Sequence, residues 1–333
     1  MIDLKGRVVV ITGGTAGIGR ALARAFGAEG MKVGIIARGE EKLDATVDEL
    51  TALGVSCVGQ SADVSSMSEV EEAAARIERD LGPIYLWVNN AMVSVFSPIK
   101  DIRAEEIHRT TEVTYLGSVY GVLTALKSMT PRNEGHILQI GSALSYQSIP
   151  LQSAYCASKQ AVRGFLASLR IELKHDRSAI KVSELQLPAV NTPQFEWLDN
   201  HLTEHPMPVP PIYQPELVAQ AAVELARRPR RELWLAGSTV KAILASKFAP
   251  RIAEWYLARN GYKSQLMHLE PANKDNDLWN PVAKDFGAHG RFDDLARRRS
   301  LLFEFQRRRR SFFSLAALAG SVGVLLRLRK SMG

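Results

Sequence analysis

Short runs of β-branched and apolar residues alternate along this chain with longer stretches whose apolar positions recur every three or four residues. The first run, residues 8–11 (Val-Val-Val-Ile), ends at glycines and reads as a buried strand. A helical pattern follows over about 18–26. The alternation predicts further strands at 33–37, 55–61, 84–89, 136–140, 182–187 and 232–235, with helices at 41–53, 66–80, 105–129, 153–175 and 215–227. Strands that alternate with helices pair in parallel and are covered on both faces. The expected fold class is therefore α/β: a doubly wound parallel sheet, the Rossmann fold, over residues 1–240.

Two stretches break the rhythm. Residues 206–215 carry Pro206, Pro208, Pro210, Pro211 and Pro215, which exclude a continuous helix or a central strand. The segment reads either as a substrate lid or as a plain connector. Beyond the body, residues 241–306 read as a helical and irregular extension. An amphipathic pattern runs over 240–257, and a polar stretch follows over 258–290.

Charge changes the picture of the tail. The chain carries +7 overall, yet residues 291–333 alone carry +8, so the basic balance says nothing about partners of the body. Within 307–333, the sixteen residues 311–326 are uncharged and lie between Arg307–Arg310 and the cations Arg327, Arg329 and Lys330. As a helix they reach roughly 24 Å, against a hydrocarbon core of about 30 Å. Three readings stand: a span aided by snorkelling, an interfacial helix on a membrane surface through 307–330, or a docked core helix. Nucleic acid is not expected, because the run lacks interleaved aromatic or polar readers.

The N-terminus places charge directly before a short apolar run and is not expected to be a signal peptide. Two cysteines, Cys57 and Cys156, exclude a disulfide scaffold and a four-thiolate zinc site, and suit a reducing, cytoplasmic setting. The seven histidines form no His-x-x-x-His pair, so no metal site is expected. Gly141-Ser142-Ala143 lacks the Gly-x-Ser-x-Gly elbow of a hydrolase.

Three constellations carry chemistry. Thr12-Gly13-Gly14-Thr15-Ala16-Gly17-Ile18-Gly19 links the first strand to the first helix. Such a turn lets the backbone approach a pyrophosphate at a helix N-terminus, which makes Gly13, Thr15, Gly17, Ile18 and Gly19 candidate cofactor contacts. The second strand ends at Ala37-Arg38, with no acidic residue before Glu40. An acid there would bind the ribose hydroxyls of NAD, whereas Arg38 suits the 2′-phosphate of NADP, so NADP(H) is favoured over NAD(H). Tyr155 and Lys159 stand four apart on one helix face. A nearby ammonium lowers a phenol pKa from about 10 toward a useful range. Ser142, at a strand end, adds a hydroxyl able to donate to a carbonyl oxygen.

These motifs, with Asp63-Val64 and Asn89-Asn90-Ala91 and with Tyr155-Cys156-Ala157-Ser158-Lys159 in sequence, resemble the short-chain dehydrogenase/reductase family, single-domain branch, over residues 5–240. The resemblance implies Tyr155 as general acid/base and Lys159 as the group that holds the nicotinamide ribose and depresses the Tyr155 pKa. Ser142 would orient the substrate oxygen. Asp63 would hydrogen-bond the adenine with Val64 beside it, Asn90 would contact the cofactor ribose region, and Thr192 the nicotinamide amide. It also implies a homo-oligomer formed through helices 105–129 and 153–175.

Three departures mark a divergent subgroup. Met92 follows Asn-Asn-Ala where the family has Gly. Thr114 stands where a family Asn positions a water of the proton relay. Pro188-Ala189-Val190-Asn191-Thr192 lacks the glycine of the usual Pro-Gly turn. The expected function is hydride transfer between nicotinamide and a carbonyl or secondary alcohol, on an apolar small molecule. The substrate class is read from the tail and from a rim of Met92, Val93, Val95, Phe96, Phe195 and Trp197. The alternatives are a nucleotide-binding scaffold or sensor with weak turnover, and a membrane-tethered interaction protein.

Overall fold

The computed structural model describes residues 1–267 and 276–307. Its centre is a seven-stranded sheet of β1 (Val8–Thr12), β2 (Lys32–Ala37), β3 (Cys57–Ser61), β4 (Ile84–Asn89), β5 (His136–Ile140), β6 (Lys181–Gln186) and β7 (Glu232–Trp234). The spatial order is 3-2-1-4-5-6-7, and every neighbouring pair is parallel. Strands β1, β4 and β5 are buried at every position, as apolar runs covered on both faces require.

Two apolar layers flank the sheet. One joins Val9, Ile11 and Ile35 to Leu22 and Phe26 of α1 (Gly17–Ala28) and to Val218 and Leu225 of α7 (Pro215–Arg227). The other joins Val8, Val10 and Trp87 to Val70 and Ile77 of α3 (Met67–Leu81) and Leu166 of α6 (Ser153–His175). Local chemistry sets the helix starts. The Ser66 hydroxyl accepts the Glu69 N–H at the head of α3, and Pro215 opens α7, where no N–H is needed. The remaining helix of the body ahead of the β4 region is α2 (Glu40–Ala52).

The helix expected over 105–129 is continuous in its helical backbone but widens at its middle. Residues Ala104–Thr110 form α4, Thr111–Leu116 form a wide π turn, and Gly117–Met129 form α5. Residues 206–215 are a packed connector: His205–Pro206 pairs with Leu266–Met267, and Ile212–Tyr213 lies between Ala189–Val190 and Ala296–Arg297. The pattern expected over 240–257 is two helices, α8 (Gly237–Phe248) and α9 (Pro250–Asn260), parted before Pro250.

The extension then returns to the body. Leu278, Phe292 and Phe303 are all buried in apolar clusters with body residues. Among the described residues, no helix is long and apolar enough to cross a membrane. The uncharged run 311–326 lies outside the described residues.

Candidate active site

A cleft opens at the C-terminal ends of β1, β2, β4 and β5, where a doubly wound sheet reverses its strand order. The glycine turn forms its floor. Gly13 adopts φ +66°, which favours glycine, and a Cβ on Gly19 would come 2.0 Å from the Gly13 carbonyl oxygen. Asn90 braces the turn: its Nδ2 donates to the carbonyls of Thr12 and Gly13, each at 3.0 Å. Thr15, Gly17 and Ile18 line the cleft beside Gly13, while Gly19 lies beneath it.

At one end lie Arg38, Asp63 and Val64. The Asp63 carboxylate accepts from Arg109 Nη2 at 2.5 Å and from the Ser65 hydroxyl at 2.8 Å. Burial pushes its pKa up, but these contacts outweigh burial and hold it below the usual range. Arg38 does not end in open solvent. Its guanidinium donates to the carbonyl of Asp277 at 2.5 Å and of Trp279 at 3.2 Å. Thr192 is buried and lines the cleft near Gly17.

Helix α6 presents Tyr155 and Lys159 to the same cleft. Lys159 Nζ donates to the Ile140 carbonyl at 2.9 Å and stands 5.6 Å from the Tyr155 ring centroid. Burial pulls the Lys159 ammonium down to about 8. Burial pushes the Tyr155 phenol up, and the Ser142 hydroxyl beside it pulls the other way. Ser142 follows β5 and is fixed at both ends: its N–H donates to Gln186 Oε1 at 2.9 Å, and its Oγ accepts the Leu144 N–H at 3.1 Å. A phenol with a hydroxyl hydrogen-bonded to it and an ammonium nearby is an arrangement able to exchange a proton with a carbonyl oxygen.

Thr114 sits in the π turn with no solvent exposure. Its hydroxyl donates to the Val93 carbonyl at 2.9 Å and accepts the Val93 N–H at 3.1 Å, so it pins the loop that carries Met92. Of the expected apolar rim, Met92, Val93 and Trp197 line the cleft. Val95, Phe96 and Phe195 are instead core residues, with Phe195 packed edge-on against Phe292 of the extension. Glu106, Asp199 and His201 bring ligand-type atoms within 4.8 Å of one another, but Arg103 and His201 take up the Glu106 carboxylate and Asn276 donates to Asp199.

Sequence reasoning missed the outer wall of the cleft. Asp277, Pro281 and Val282 line it, and Leu278 accepts from Arg109 Nε at 2.9 Å through its carbonyl. The Gly17 N–H donates to the Gly287 carbonyl at 2.9 Å. One signal pointed there: Leu278-Trp279 is an apolar island in an otherwise polar stretch.

A doubly wound sheet with this cleft and a Ser–Tyr–Lys set at its strand ends defines a nucleotide-dependent oxidoreductase. A family model described as short chain dehydrogenase matches residues 7–202, and the chain belongs to the short-chain dehydrogenase/reductase family, whose members are NAD(P)-dependent. It is 31% identical over 322 residues to an uncharacterized oxidoreductase, YxnA, of Bacillus subtilis (strain 168), covering 96% of this chain and 90% of that protein. The structure of a single-substitution variant of actinorhodin polyketide ketoreductase with NADPH matches with a TM-score of 0.63 at 29% identity, over 70% of this chain and 97% of that one. A Burkholderia phymatum family member in complex with NAD shares the fold, with a TM-score of 0.67 at 24% identity, over 77% and 97% of the two chains.

Proposed function

We propose that this chain is an NADP(H)-dependent oxidoreductase that interconverts a carbonyl and a secondary alcohol on an apolar small molecule, with Tyr155 as general acid/base. The observation that carries the proposal is the meeting of Tyr155 and Lys159 in the cleft that also holds the glycine turn and Arg38, with the Ser142 hydroxyl beside Tyr155 at its edge. A nicotinamide dinucleotide fits these residues. Gly19 keeps the floor clear where any Cβ would collide, and Arg38 brings a guanidinium to the end of β2. When bound, the cofactor supplies or takes the hydride.

The chain's own residues handle the proton. Tyr155 gives its hydroxyl proton to the carbonyl oxygen in reduction and takes it back in oxidation. Ser142 donates a hydrogen bond to the same oxygen. The Ser142 hydroxyl also opposes the burial that raises the phenol, and Lys159, 5.6 Å from the Tyr155 ring centroid, would hold the nicotinamide ribose. Gly13, Thr15, Gly17 and Ile18 with Asn90 cradle the pyrophosphate and ribose, Asp63 and Val64 flank the adenine, and Thr192 meets the nicotinamide amide. The NADP preference draws on Arg38 and on the NADPH-bound ketoreductase. The apolar substrate draws on Met92, Val93 and Trp197. Homo-oligomer formation and contact of 307–330 with a membrane surface belong to the same proposal and draw on family resemblance and sequence pattern respectively.

The test is NADPH consumption against a panel of apolar ketones and aldehydes. Tyr155→Phe is expected to lose about 10³-fold in turnover while NADPH affinity holds. Turnover that survives in the Phe variant overturns the assignment. A scaffold without turnover is a second reading, favoured by the commitment of the Thr114 hydroxyl to Val93. It requires the parent to bind NADPH and consume none, and Thr114→Asn to restore consumption.

A further inference from the structure

Asp277 stands in the cofactor cleft but comes from the extension, far outside the family match. The segment that carries it is anchored at several points. The Asp277 N–H donates to the Trp197 carbonyl at 3.0 Å, Leu278 has no solvent exposure, and Asn276 Nδ2 donates to Asp199 at 3.2 Å. The Asp277 carboxylate accepts a hydrogen bond from the Trp197 side chain and lies within electrostatic reach of Arg38 and Lys42. Among the described residues no ion pair joins it to either cation. Arg38 donates instead to the backbone carbonyls of Asp277 and Trp279, and Lys42 Nζ stands 5.7 Å over the Trp197 ring.

The Asp277 carboxylate therefore shares with Arg38 and Lys42 the space at the end of β2, where the 2′ position of an adenosine ribose is read, while the second carboxylate near Arg38, Asp63, is taken up by Arg109. The two charge types answer opposite ligands. A guanidinium and an ammonium attract a 2′-phosphate, while a carboxylate repels it and accepts from a ribose diol. We propose that Asp277 is a cofactor-selecting residue: it opposes Arg38 and Lys42 at the 2′ position and holds the preference for NADP(H) over NAD(H) below what Arg38 alone would set. This rests on the proposal that the cleft takes a nicotinamide dinucleotide. Burial pushes the Asp277 carboxyl up to about 7, with Arg38 and Lys42 pulling it down, as a group poised between cations and a dry wall requires.

The experiment is a calorimetric titration of the full chain, without substrate, with NADPH, NADH, 2′,5′-ADP and ADP. Asp277→Asn keeps an acceptor for Trp197 and removes the charge. It is expected to raise the ratio of NADPH to NADH affinity, and of 2′,5′-ADP to ADP, about 10-fold, from the loss of one charge a few ångströms away. Arg38→Ala is expected to lower both ratios. Asp277→Ser serves as the second variant if the Asn form folds poorly. Ratios within twofold of the parent in Asp277→Asn or Asp277→Ser, with a lowered ratio in Arg38→Ala, overturn the role of Asp277 and leave the cofactor assignment standing. A parent that binds none of the four ligands overturns the cofactor assignment and this proposal with it.

Discussion

The body and the extension build the same cleft by opposite means. The body uses residues whose type matters: a glycine where any Cβ would strike a carbonyl and, in the function proposed above, a tyrosine for its proton and a lysine for its charge. The extension docks on the body through side chains such as Leu278 and Phe292, but meets residues of the cleft with its backbone. Carbonyls of Asp277, Leu278, Trp279 and Gly287 take up Arg38, Arg109 and the Gly17 N–H. Any residue supplies a carbonyl, so a wall built this way constrains sequence weakly while constraining shape strongly. The share of this chain that is matched differs between two relatives. The ketoreductase is covered almost in full by 70% of this chain, whereas the Bacillus oxidoreductase aligns with 96% of it.

The comparison can be broken at three points. Gly19→Ala strikes the body and has the largest expected effect. Its Cβ has no room against Gly13 and Asn90, so dinucleotide affinity should fall by about 100-fold or more, as a displaced turn costs roughly 1–3 kcal/mol and loses its ligand contacts. Unchanged binding by calorimetry would show that the turn does not hold the cofactor. Leu278→Ala strikes the extension. It should cost about 2–3 kcal/mol of docking energy and make residues 276–290 sensitive to protease, while the Tyr155–Lys159 end keeps its structure. Global unfolding at the same protease dose would show instead that the wall and the body are one cooperative unit.

The smallest effect is a pH dependence. The folded Asp277 carboxyl titrates at about 7, above the ordinary aspartate value, so the folded state binds the extra proton. That contribution to stability is full below about pH 4 and is lost as pH rises to about 7. Asp277→Asn should therefore gain on the parent by about 2 kcal/mol in melting experiments between pH 4 and pH 8, the figure allowing for partial solvent access. A gap between the two that does not move with pH would mean that the carboxyl is hydrated in the folded protein.

How much was legible follows from the same distinction. Helix 153–175 is visible in sequence from its apolar stripe, β1, β2, β4 and β5 from their apolar runs, and β3, β6 and β7 from their place in the alternation of strands and helices. The π widening within 105–129 is not. Thr111–Leu116 contains neither Gly nor Pro, and the wide turn reflects packing around Thr114 and Val93 that local propensity does not encode. Phe195 looks like a rim residue because Phe292, which packs edge-on against it, is remote in sequence, and Val95 and Phe96 because their pairing with Asp199 and Asn200 is not local. Ser142, Tyr155, Lys159 and Arg38 were legible by type and spacing, and the structure brings them to one cleft or its edge. Asp277 was not, since one acid in a polar stretch carries no periodicity and its meaning comes only from Arg38 and Lys42 beside it.

The wall also has a place in time. Arg38 and Asp277 are 239 residues apart, and the Arg109–Leu278 contact closes a loop of 169. The β1–β2 and β2–β3 pairings close far shorter loops. Contacts that close long loops give up more chain entropy before they reward it, so they form late. A refolding chain should therefore acquire its glycine turn and central strands while the adenosine side of the cleft still stands open, and a dinucleotide present in that interval enters a site whose door is hung last.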